Sequence, residues 1–452
     1  MSPLRASATV NVMKCAVTAW LLVIVAATAP AAAATTVAVP QRASLVLAGE
    51  HRSDQAGASV ARAGDVNGDG RGDLIVGAPK ADPRGRRDAG SAYVVFGPFP
   101  RGRLPLGTLG DRGFRIDGAV ALVNSSFVNW VTDGTGALVA GAGDVNGDGL
   151  ADLLVTGRRP SLQTAAFVVF GKHDSAPVDL AALGDGGFAL ADDGIRGAFA
   201  LGDVNADGLA DIGIGTSIEG DEAGGALRVV LGRRDPAAPT TGSLVRGAND
   251  DLQLGAAAAA AGDVNDDGVG DLLIGAPGAD IGRTVARGVV FVLHGRRDPA
   301  DVFIRIGEPF AGRQLTGPKG ARGFGMAVTR YRAGVVAGAP GRSLLSTRPG
   351  SVWIVAGGRR VRLAGPRVGG PIGLAVAAGD VTGGPAREVI TLARGRAGHP
   401  AMGLLFSANG KRLRTYTGVL KEHRRRGSVA VVGRDLLFGS PGAGVAYLVT
   451  RP

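Results

Sequence analysis

The sequence predicts an all-β protein, a seven-bladed β-propeller with four-stranded blades, and three observations lead to this fold class. The chain is rich in turns, because 76 glycines and 24 prolines make up 100 of its 452 residues. It also has material for a large core, since 45% of its residues are hydrophobic. A repeated acidic motif with a short apolar run behind it divides the chain into seven units of about 60 residues, a period typical of propellers and solenoids.

The acidic motif is the clearest of these signals. Four copies have the pattern Asp-x-Asn-x-Asp-Gly-x-x-Asp, and each is followed by an apolar run that ends in glycine. They occupy residues 65–73, 144–152, 203–211 and 263–271. Three weaker copies keep the flanking residues but lose most of the acidic loop, and they lie at residues 335–340, 378–388 and 436–441.

Short strands are predicted between the motifs. Runs such as 92–97, 166–171 and 289–295 are β-branched or aromatic and stop at glycine, which indicates strands and not helices. About four such strands fit into each unit, and closing seven small sheets into a ring leaves only short edges exposed. The orphan strand 43–49 precedes the first unit, so we expect it to complete the last blade beside residues 446–449.

An export signal is predicted over residues 1–34. Lys14 precedes an apolar run over residues 15–29, and small residues follow, which indicates cleavage near Ala34. An uncleaved anchor is the alternative, although the run is short for a bilayer span of about 20 residues. The remainder, residues 35–452, is then predicted to be one secreted, extracellular propeller domain without a transmembrane segment.

The predicted mature chain has no cysteine, because the only one, Cys15, lies in the signal. An exported protein without disulfides needs a large core or bound metal ions for stability. Basic residues exceed acidic ones, 50 to 39, and the formal net charge is +11.

The chain resembles the FG-GAP repeat family, the seven-bladed propellers found in integrin α subunits and in many exported bacterial proteins. The resemblance covers residues 43–449. Its Gly-Ala-Pro part stands at residues 77–79, 275–277 and 338–340, and its Phe-Gly part survives at Phe324-Gly325. The family's fold implies the propeller described above, but it leaves function open because one fold serves many partners.

The spacing of the acidic motif predicts calcium sites. Side-chain oxygens at positions 1, 3, 5 and 9, with the carbonyl of position 7, form the hard ligand set that Ca²⁺ prefers. Glycine at position 6 permits the sharp turn. About four structural Ca²⁺ ions are expected, one in each complete motif. The predicted ligands are Asp65, Asn67, Asp69, Arg71, Asp73, Asp144, Asn146, Asp148, Leu150, Asp152, Asp203, Asn205, Asp207, Leu209, Asp211, Asp263, Asn265, Asp267, Val269 and Asp271.

Two other interpretations of these loops are weaker. Asn-Gly and Asp-Gly are good hairpin turns, but turn formation alone does not explain three Asp and one Asn in fixed register four times. Arg71-Gly72-Asp73 also spells a tripeptide that integrins recognise, yet Asp73 is expected to face the ion. We therefore expect this tripeptide to be held within the loop and not displayed.

Catalysis is not predicted, because the five histidines stand singly and no nucleophile or phosphate-binding motif is found. The expected function is a calcium-binding module for adhesion or interaction at the cell exterior. A lectin-like carbohydrate binder is one alternative, although the mature chain has only Trp130 and Trp353 as tryptophan platforms. A hydrolase or lyase that acts on polysaccharide in the propeller channel is the other.

Charge suggests the partner. Basic clusters recur in the connections between strands, at residues 84–87, at 359–362 and at Arg424, Arg425 and Arg426. We expect the last three to bind an anionic cell-surface polymer or glycan, with an extracellular protein as the other possible partner. No specific nucleic acid is expected, and the protein is predicted to be a monomer.

Overall fold

The computed structural model describes residues 35–450 with several gaps. The predicted signal, Trp130 and the Arg424–426 cluster lie outside the described residues. The gaps are residues 122–133, 192–193, 217–223, 236–241, 248–251, 299, 342–348, 367–369, 385–386, 395–400 and 421–427.

The regular secondary structure is nearly all β, with 51% strand and 6% helix. The first sixteen strands are β1 (Thr35–Ala38), β2 (Leu45–Ala48), β3 (Ser59–Gly64), β4 (Asp73–Ala78), β5 (Ser91–Val95), β6 (Gly102–Pro105), β7 (Gly113–Asp117), β8 (Val139–Gly143), β9 (Asp152–Arg158), β10 (Thr164–Val169), β11 (Val178–Asp179), β12 (Gly187–Ala191), β13 (Ile195–Gly202), β14 (Asp211–Thr216), β15 (Ala226–Val230) and β16 (Gly242–Gly247). The second sixteen are β17 (Ala257–Gly262), β18 (Asp271–Ala276), β19 (Val289–Leu293), β20 (Val302–Ile304), β21 (Gly312–Thr316), β22 (Val328–Tyr331), β23 (Gly334–Ala339), β24 (Ser351–Ala356), β25 (Arg359–Ala364), β26 (Ile372–Gly379), β27 (Glu388–Ala393), β28 (Ala401–Phe406), β29 (Arg412–Leu420), β30 (Val429–Val432), β31 (Asp435–Ser440) and β32 (Val445–Val449).

Helices are short connectors. One α-helical turn, α1 (Val39–Arg42), lies between β1 and β2. Six 3₁₀ turns occupy Arg52–Asp54, Pro83–Gly85, Leu106–Thr108, Gly110–Arg112, Leu180–Ala182 and Gly184–Gly186.

The strands form seven antiparallel sheets, which we call blades 1 to 7. We name the four strands of each blade A to D from the inside outward. The blades are β3-β4-β5-β7, β8-β9-β10-β12, β13-β14-β15-β16, β17-β18-β19-β21, β22-β23-β24-β25, β26-β27-β28-β29 and β30-β31-β32-β2. The A strands of successive blades contact one another in a closed circle and so line a central channel. The predicted seven-bladed propeller is confirmed.

Ring closure follows the predicted route. Strand β2, which precedes blade 1 in sequence, pairs antiparallel with β32 and becomes the D strand of blade 7. Leu45 lies opposite Leu448 and Val46 lies opposite Tyr447. The two ends of the domain are thus held together by a backbone ladder, as expected for a ring without disulfides.

Four blades gain a fifth strand that the sequence did not predict. In each case the segment before one D strand pairs in parallel with the D strand of the preceding blade. Strands β6, β11, β20 and β1 extend blades 7, 1, 3 and 6 in this way. We call such a fifth strand a strap. Blades 5 and 6 have short C–D turns, so they provide no strap to blades 4 and 5.

The core lies between the faces of neighbouring blades. Strand β4 is buried at all six positions, and the B and C strands of other blades are buried to a similar degree. Leu227 of blade 3 packs in one cluster with Ile274 and Phe291 of blade 4. Each fully buried side chain of this size contributes about 1.5–3 kcal/mol, so the ring is stabilised chiefly by inter-blade burial.

The repeated glycines mark the closest approach of adjacent blades. A Cβ added at Gly77 would lie 1.8 Å from the carbonyl oxygen of Gly136 in blade 2, and one at Gly439 would lie 2.1 Å from that of Gly57 in blade 1. The same contact joins Gly275 to the Gly325 carbonyl. Only a residue without a side chain fits these positions, which explains why the Gly-Ala-Pro and Phe-Gly signatures recur together.

Candidate metal centres on the acidic loops

The four complete acidic motifs form the A–B connections of blades 1 to 4. Residues 65–73 join β3 to β4, and the other three motifs join the corresponding strands of blades 2, 3 and 4. Because strands alternate in direction, all A–B and C–D connections emerge on one face of the ring. We call this the A–B face.

The first Asp of each motif organises its loop. Asp65 accepts hydrogen bonds from the backbone amides of Gly68 (2.8 Å), Asp69 (3.0 Å) and Gly70 (2.8 Å). Asp203 and Asp263 accept from the amides at positions 5 and 6 in the same manner. These bonds fold the loop around position 1, and the amide of Gly268 heads the causes that lower the pKa of Asp263.

The last Asp of each motif is buried and bridges two segments of its own blade. Asp73 is fully buried and accepts from the backbone amides of Val66 (2.8 Å) and Gly97 (2.9 Å). The same pair of bonds recurs at the three other motifs, where Asp152, Asp211 and Asp271 are also fully buried. Each carboxylate therefore ties the acidic loop to the end of its C strand.

Burial makes the charge of these carboxylates costly. Desolvation raises the pKa of Asp73 to about 6 and that of Asp152 and Asp211 to about 7, with smaller contributions from the other Asp residues of each loop. The bridging hydrogen bonds from backbone amides act in the opposite direction and only partly offset burial. A nearby cation would favour the ionised form of all three.

The donor chemistry of the loops fits Ca²⁺. Each loop offers Asp and Asn oxygens and a backbone carbonyl, and glycine with φ near +80° stands at position 6, at Gly70 (81°), Gly149 (88°), Gly208 (87°) and Gly268 (80°). In the described residues, however, no group of three or more His, Cys, Asp or Glu side chains surrounds a common point. The first, third and fifth side chains are instead hydrogen-bonded within the loop. The calcium prediction stays a prediction.

Successive acidic loops are linked to one another. The amide of Ala151 donates to the backbone carbonyl of Asp65 at 2.8 Å, and the amide of Ala210 donates to the backbone carbonyl of Asp144 at 2.7 Å. Gly270 donates to Asp203 at 3.1 Å. The eighth residue of one loop thus contacts the first residue of the preceding loop, and the four loops form one continuous arc over blades 1 to 4.

A second motif that sequence reasoning missed contacts this arc. Gly171-Lys172-His173-Asp174 follows the C strand of blade 2, and related tetrapeptides follow those of blades 3 and 4 at residues 232–235 and 295–298. The glycine amide donates to the buried Asp of its own blade, while the next amide donates to a loop carbonyl of the preceding blade. The repeated pattern Gly-basic-basic-Asp is the sequence signal from which this motif could have been found.

In blades 2 and 3 the third residue of this motif brings a basic side chain to the acidic loop of the preceding blade. His173 Nδ1 lies 2.7 Å from the carbonyl oxygen of Asn67, and Arg234 Nη1 donates to the carbonyl of Gly147 at 3.2 Å. Each acidic loop on this arc is therefore a junction between two blades.

The decayed sixth repeat keeps a buried carboxylate at the last position of the loop, with a different residue. Glu388 stands where the other loops have their last Asp, and it is buried. Its carboxylate accepts from the amides of Val381 (2.9 Å) and Thr382 (3.1 Å) and from the Thr382 hydroxyl (2.8 Å). A buried carboxylate at the last position thus persists together with Asp380 at the first, although the acidic residue of position 5 is lost.

The Arg71-Gly72-Asp73 tripeptide is not displayed. The Asp73 carboxylate is buried and occupied by two backbone amides, although Arg71 is exposed. A partner that needs a free aspartate would not reach it in this conformation.

The basic cluster at residues 84–87 is largely structural. Arg84 Nε donates to the buried Asp117 at 2.9 Å, and Arg86 donates to both carboxylate oxygens of Asp179 at 2.6 and 2.8 Å. Since Asp179 belongs to the fifth strand of blade 1, these pairs fasten the strap that arrives from blade 2. Arg87 of the same cluster is exposed.

The central channel contains a cavity of about 660 Å³. All seven blades contribute to its wall, through residues that include Ser59, Leu138, Phe199, Ala257, Val328, Leu374 and Val429. Among the described residues that line it, none is titratable, and the polar side chains are Gln55, Ser59 and Ser428. The wall is mainly aliphatic.

Comparisons with protein families and with solved structures both give matches. The FG-GAP repeat family matches residues 56–95 and 255–293, which are parts of blades 1 and 4. Among solved structures, the chain is similar to a quinonprotein alcohol dehydrogenase-like protein from Bacteroides thetaiotaomicron, with 12% identity and a TM-score of 0.36. That match covers 79% of this chain and 65% of the other protein's length. Comparison with curated protein sequences found no match.

Fold and comparisons together define the class of protein. Seven small antiparallel sheets closed into a ring make it a seven-bladed β-propeller. Two of its segments, residues 56–95 and 255–293, match the FG-GAP repeat model. In the described part of the chain, no helix has the length and apolar character needed to cross a membrane.

Proposed function

We propose that the protein is a secreted, calcium-stabilised binding module that acts at the cell exterior. One observation carries this proposal: four linked acidic loops each hold a fully buried Asp, and all four stand on one face of the ring. Such loops have the oxygen ligands for Ca²⁺, and FG-GAP propellers generally mediate interactions.

Calcium would act here as a structural ion. In each loop the side chains at positions 1, 3, 5 and 9 and the carbonyl at position 7 would hold it. The ion would supply positive charge beside a buried carboxylate whose pKa is raised by desolvation. Calcium in one loop would then also stabilise the neighbouring blade, because the acidic loops of adjacent blades are hydrogen-bonded to each other.

The channel supports a binding role over the enzymatic alternative. A hydrolase or lyase needs an acid and a base within reach of the same bond, and the described wall of the channel supplies neither. The lectin-like alternative needs aromatic platforms, and Trp353 is partly buried beneath the Arg362 guanidinium, 6.0 Å from the ring centre.

Two measurements test the proposal on the chain from residue 35 onward. Isothermal titration should show about four calcium sites with dissociation constants of about 10⁻⁴ to 10⁻³ M, the range of extracellular modules. The protein should also be retained on isolated cell envelopes in the presence of calcium. Absence of calcium binding would overturn the proposal. Retention on cell envelopes that is no greater than retention on bare resin would also overturn it.

A matched pair of variants assigns the sites. Asp148→Ala should remove one of the four calcium sites, because Asp148 is the position 5 ligand of the blade 2 loop. Asp185→Ala changes an exposed Asp of the same blade outside the loop and should leave all four. Equal calcium stoichiometry in both variants would show that the loops are not the sites.

A further inference from the structure

The A–B face changes the sign of its charge halfway round the ring. Blades 1 to 4 present their four acidic loops on it, with three Asp in each of the first three loops and four in the loop of blade 4. In blades 5 to 7 the corresponding A–B connections carry Arg332, Arg387 and Arg434, and Arg330 lies near the end of the A strand of blade 5. All four of these arginines are exposed.

The C–D connections of blades 5 and 6 add to the same positive region. Arg359 and Arg360 begin the D strand of blade 5, Arg412 begins that of blade 6, and Lys411 directly precedes Arg412. These four side chains are also exposed. We call the exposed basic residues on the A–B face of blades 5 to 7 the basic sector.

The basic sector is continuous from blade to blade. The Tyr331 hydroxyl of blade 5 donates to the Arg387 carbonyl of blade 6 at 2.9 Å. Arg434 Nε of blade 7 lies 3.6 Å from Asp380 Oδ2 of blade 6, and the Arg434 guanidinium packs over Gly383, which belongs to the same loop as Asp380. These contacts place the A–B turns of three adjacent blades on one surface.

Little negative charge offsets the basic sector. Of the described carboxylates on these A–B connections, Glu388 is buried and hydrogen-bonded to its own loop, and Asp380 faces Arg434. Asp435 is partly buried and already has a partner. The sector therefore has eight exposed basic residues against these three carboxylates, and the excess of basic residues gives it a positive potential.

The composition of the sector indicates which anion it fits. The large exposed apolar side chains of the described chain are Leu162, Val264, Val285 and Phe303, and all lie outside blades 5 to 7, so the sector lacks anchors for a membrane or a protein hot spot. Exposed aromatic platforms for nucleic-acid bases are also missing from its described turns. Seven of its eight basic residues are arginine, whose planar guanidinium binds carboxylates with two parallel hydrogen bonds.

We propose that the basic sector binds a linear acidic polysaccharide through its carboxylate groups. This assignment rests on the proposed binding function and deepens it, since it names the surface and the class of partner. It places the partner on the A–B face, beside the acidic loops.

The test compares two triple variants with equal loss of charge. Arg359→Gln/Arg360→Gln/Arg387→Gln changes the sector. Arg87→Gln/Arg196→Gln/Arg283→Gln changes three exposed arginines on the opposite face, in B–C connections and at the start of β13. Binding to size-defined polygalacturonate oligomers, with neutral dextran as a blank, is measured at low and moderate salt with calcium present.

We expect the sector variant to lose at least ten-fold in affinity for polygalacturonate and to show a shallower salt dependence, while the opposite-face variant changes less than two-fold. Equal losses in both variants, or no binding by the unchanged protein, would overturn the assignment. Preferential binding of duplex DNA or phosphatidylserine vesicles through the sector would also overturn it. So would a salt-sensitive dimer that the sector variant abolishes, because the occupant would then be the acidic arc of a second copy.

Envelope retention separates this inference from the proposed function. If the unchanged protein and the sector variant are retained equally on cell envelopes, the binding module stands and the assignment of the sector fails. If neither is retained, the proposed function itself fails. Melting curves of both variants in calcium should overlay that of the unchanged protein, which confirms that folding is intact.

Discussion

At the scale of single residues, the repeated glycines form contacts between blades, whereas the buried aspartates form contacts within a blade. The glycines let neighbouring blades approach until a carbonyl occupies the place of a side chain, as at Gly77 and Gly136. The aspartates tie each acidic loop to its own C strand through two backbone amides. The repeated glycines and the acidic loops could be recognised in the sequence. The Asp73 bridge could not be predicted, because its second partner, Gly97, lies 24 residues downstream.

Substitution at a glycine junction should be costly. In Gly77→Ala the new methyl group would lie 1.8 Å from the Gly136 carbonyl, so blades 1 and 2 must move apart. We expect a loss of about 1–3 kcal/mol, the usual cost of overpacking, measured by urea unfolding. Gly186→Ala is the control, because its new methyl would meet only Leu183 at 3.8 Å. Equal stability of the two variants would contradict the proposed close contact.

The Asp179 pair should give a pH-dependent contribution to stability. Hydrogen bonds from Arg86 lower the pKa of Asp179. The ionised pair therefore stabilises the fold above the ordinary carboxyl pKa of about 3.9, and this contribution is lost as pH falls through the lowered value.

Asp179→Asn should accordingly cost about 2 kcal/mol at pH 7, a value typical of hydrogen bonds to charged groups. The difference in unfolding free energy from the unchanged protein should shrink as the pH falls toward 2, since both then carry a neutral group. Urea titrations across this range provide the measurement. A difference that does not vary with pH would mean that Asp179 contributes by packing and not by charge.

At the scale of elements, the extra parallel strands add connections that short-range patterns could not predict. Strand β11 has only two residues, Val178 and Asp179, and its pairing depends on how the C–D connection of blade 2 crosses to blade 1. The orphan strand β2 was predictable, because it had the length of a full strand and the last blade lacked one. Period and strand count therefore specify the ring, while the straps depend on the three-dimensional course of long connections.

Deletions at the N-terminal end should separate the roles of β1 and β2. Removing residues 43–49 takes away the D strand of blade 7, so amide exchange should accelerate around Tyr447, which pairs with Val46. Removing only residues 35–38 takes away the fifth strand of blade 6, and exchange should then accelerate around Tyr416, the partner of Val37. Unchanged protection at Tyr447 in the first deletion would show that the ring closes without β2.

At the scale of the whole molecule, the ring has two unlike parts held by the same inter-blade packing. Blades 1 to 4 carry linked acidic loops, and the connections of blades 5 to 7 carry exposed arginines at the same places. The sequence predicted the acidic loops one by one. Their linkage into an arc, and the opposition of charge across one face, required knowledge of which connections emerge on the same side.

This division predicts an unequal response to calcium removal. Without a cation, the three or four aspartates in each loop repel one another and the buried one is disfavoured in its ionised form, because desolvation raises its pKa. Excess EDTA should therefore lower the melting temperature and make blades 1 to 4 sensitive to protease, while blades 5 to 7 resist longer. Mass spectrometry of the first cleavage products locates the sites. Melting curves that overlay with and without EDTA, or first cuts spread evenly over all seven blades, would show that the acidic arc holds its conformation without metal.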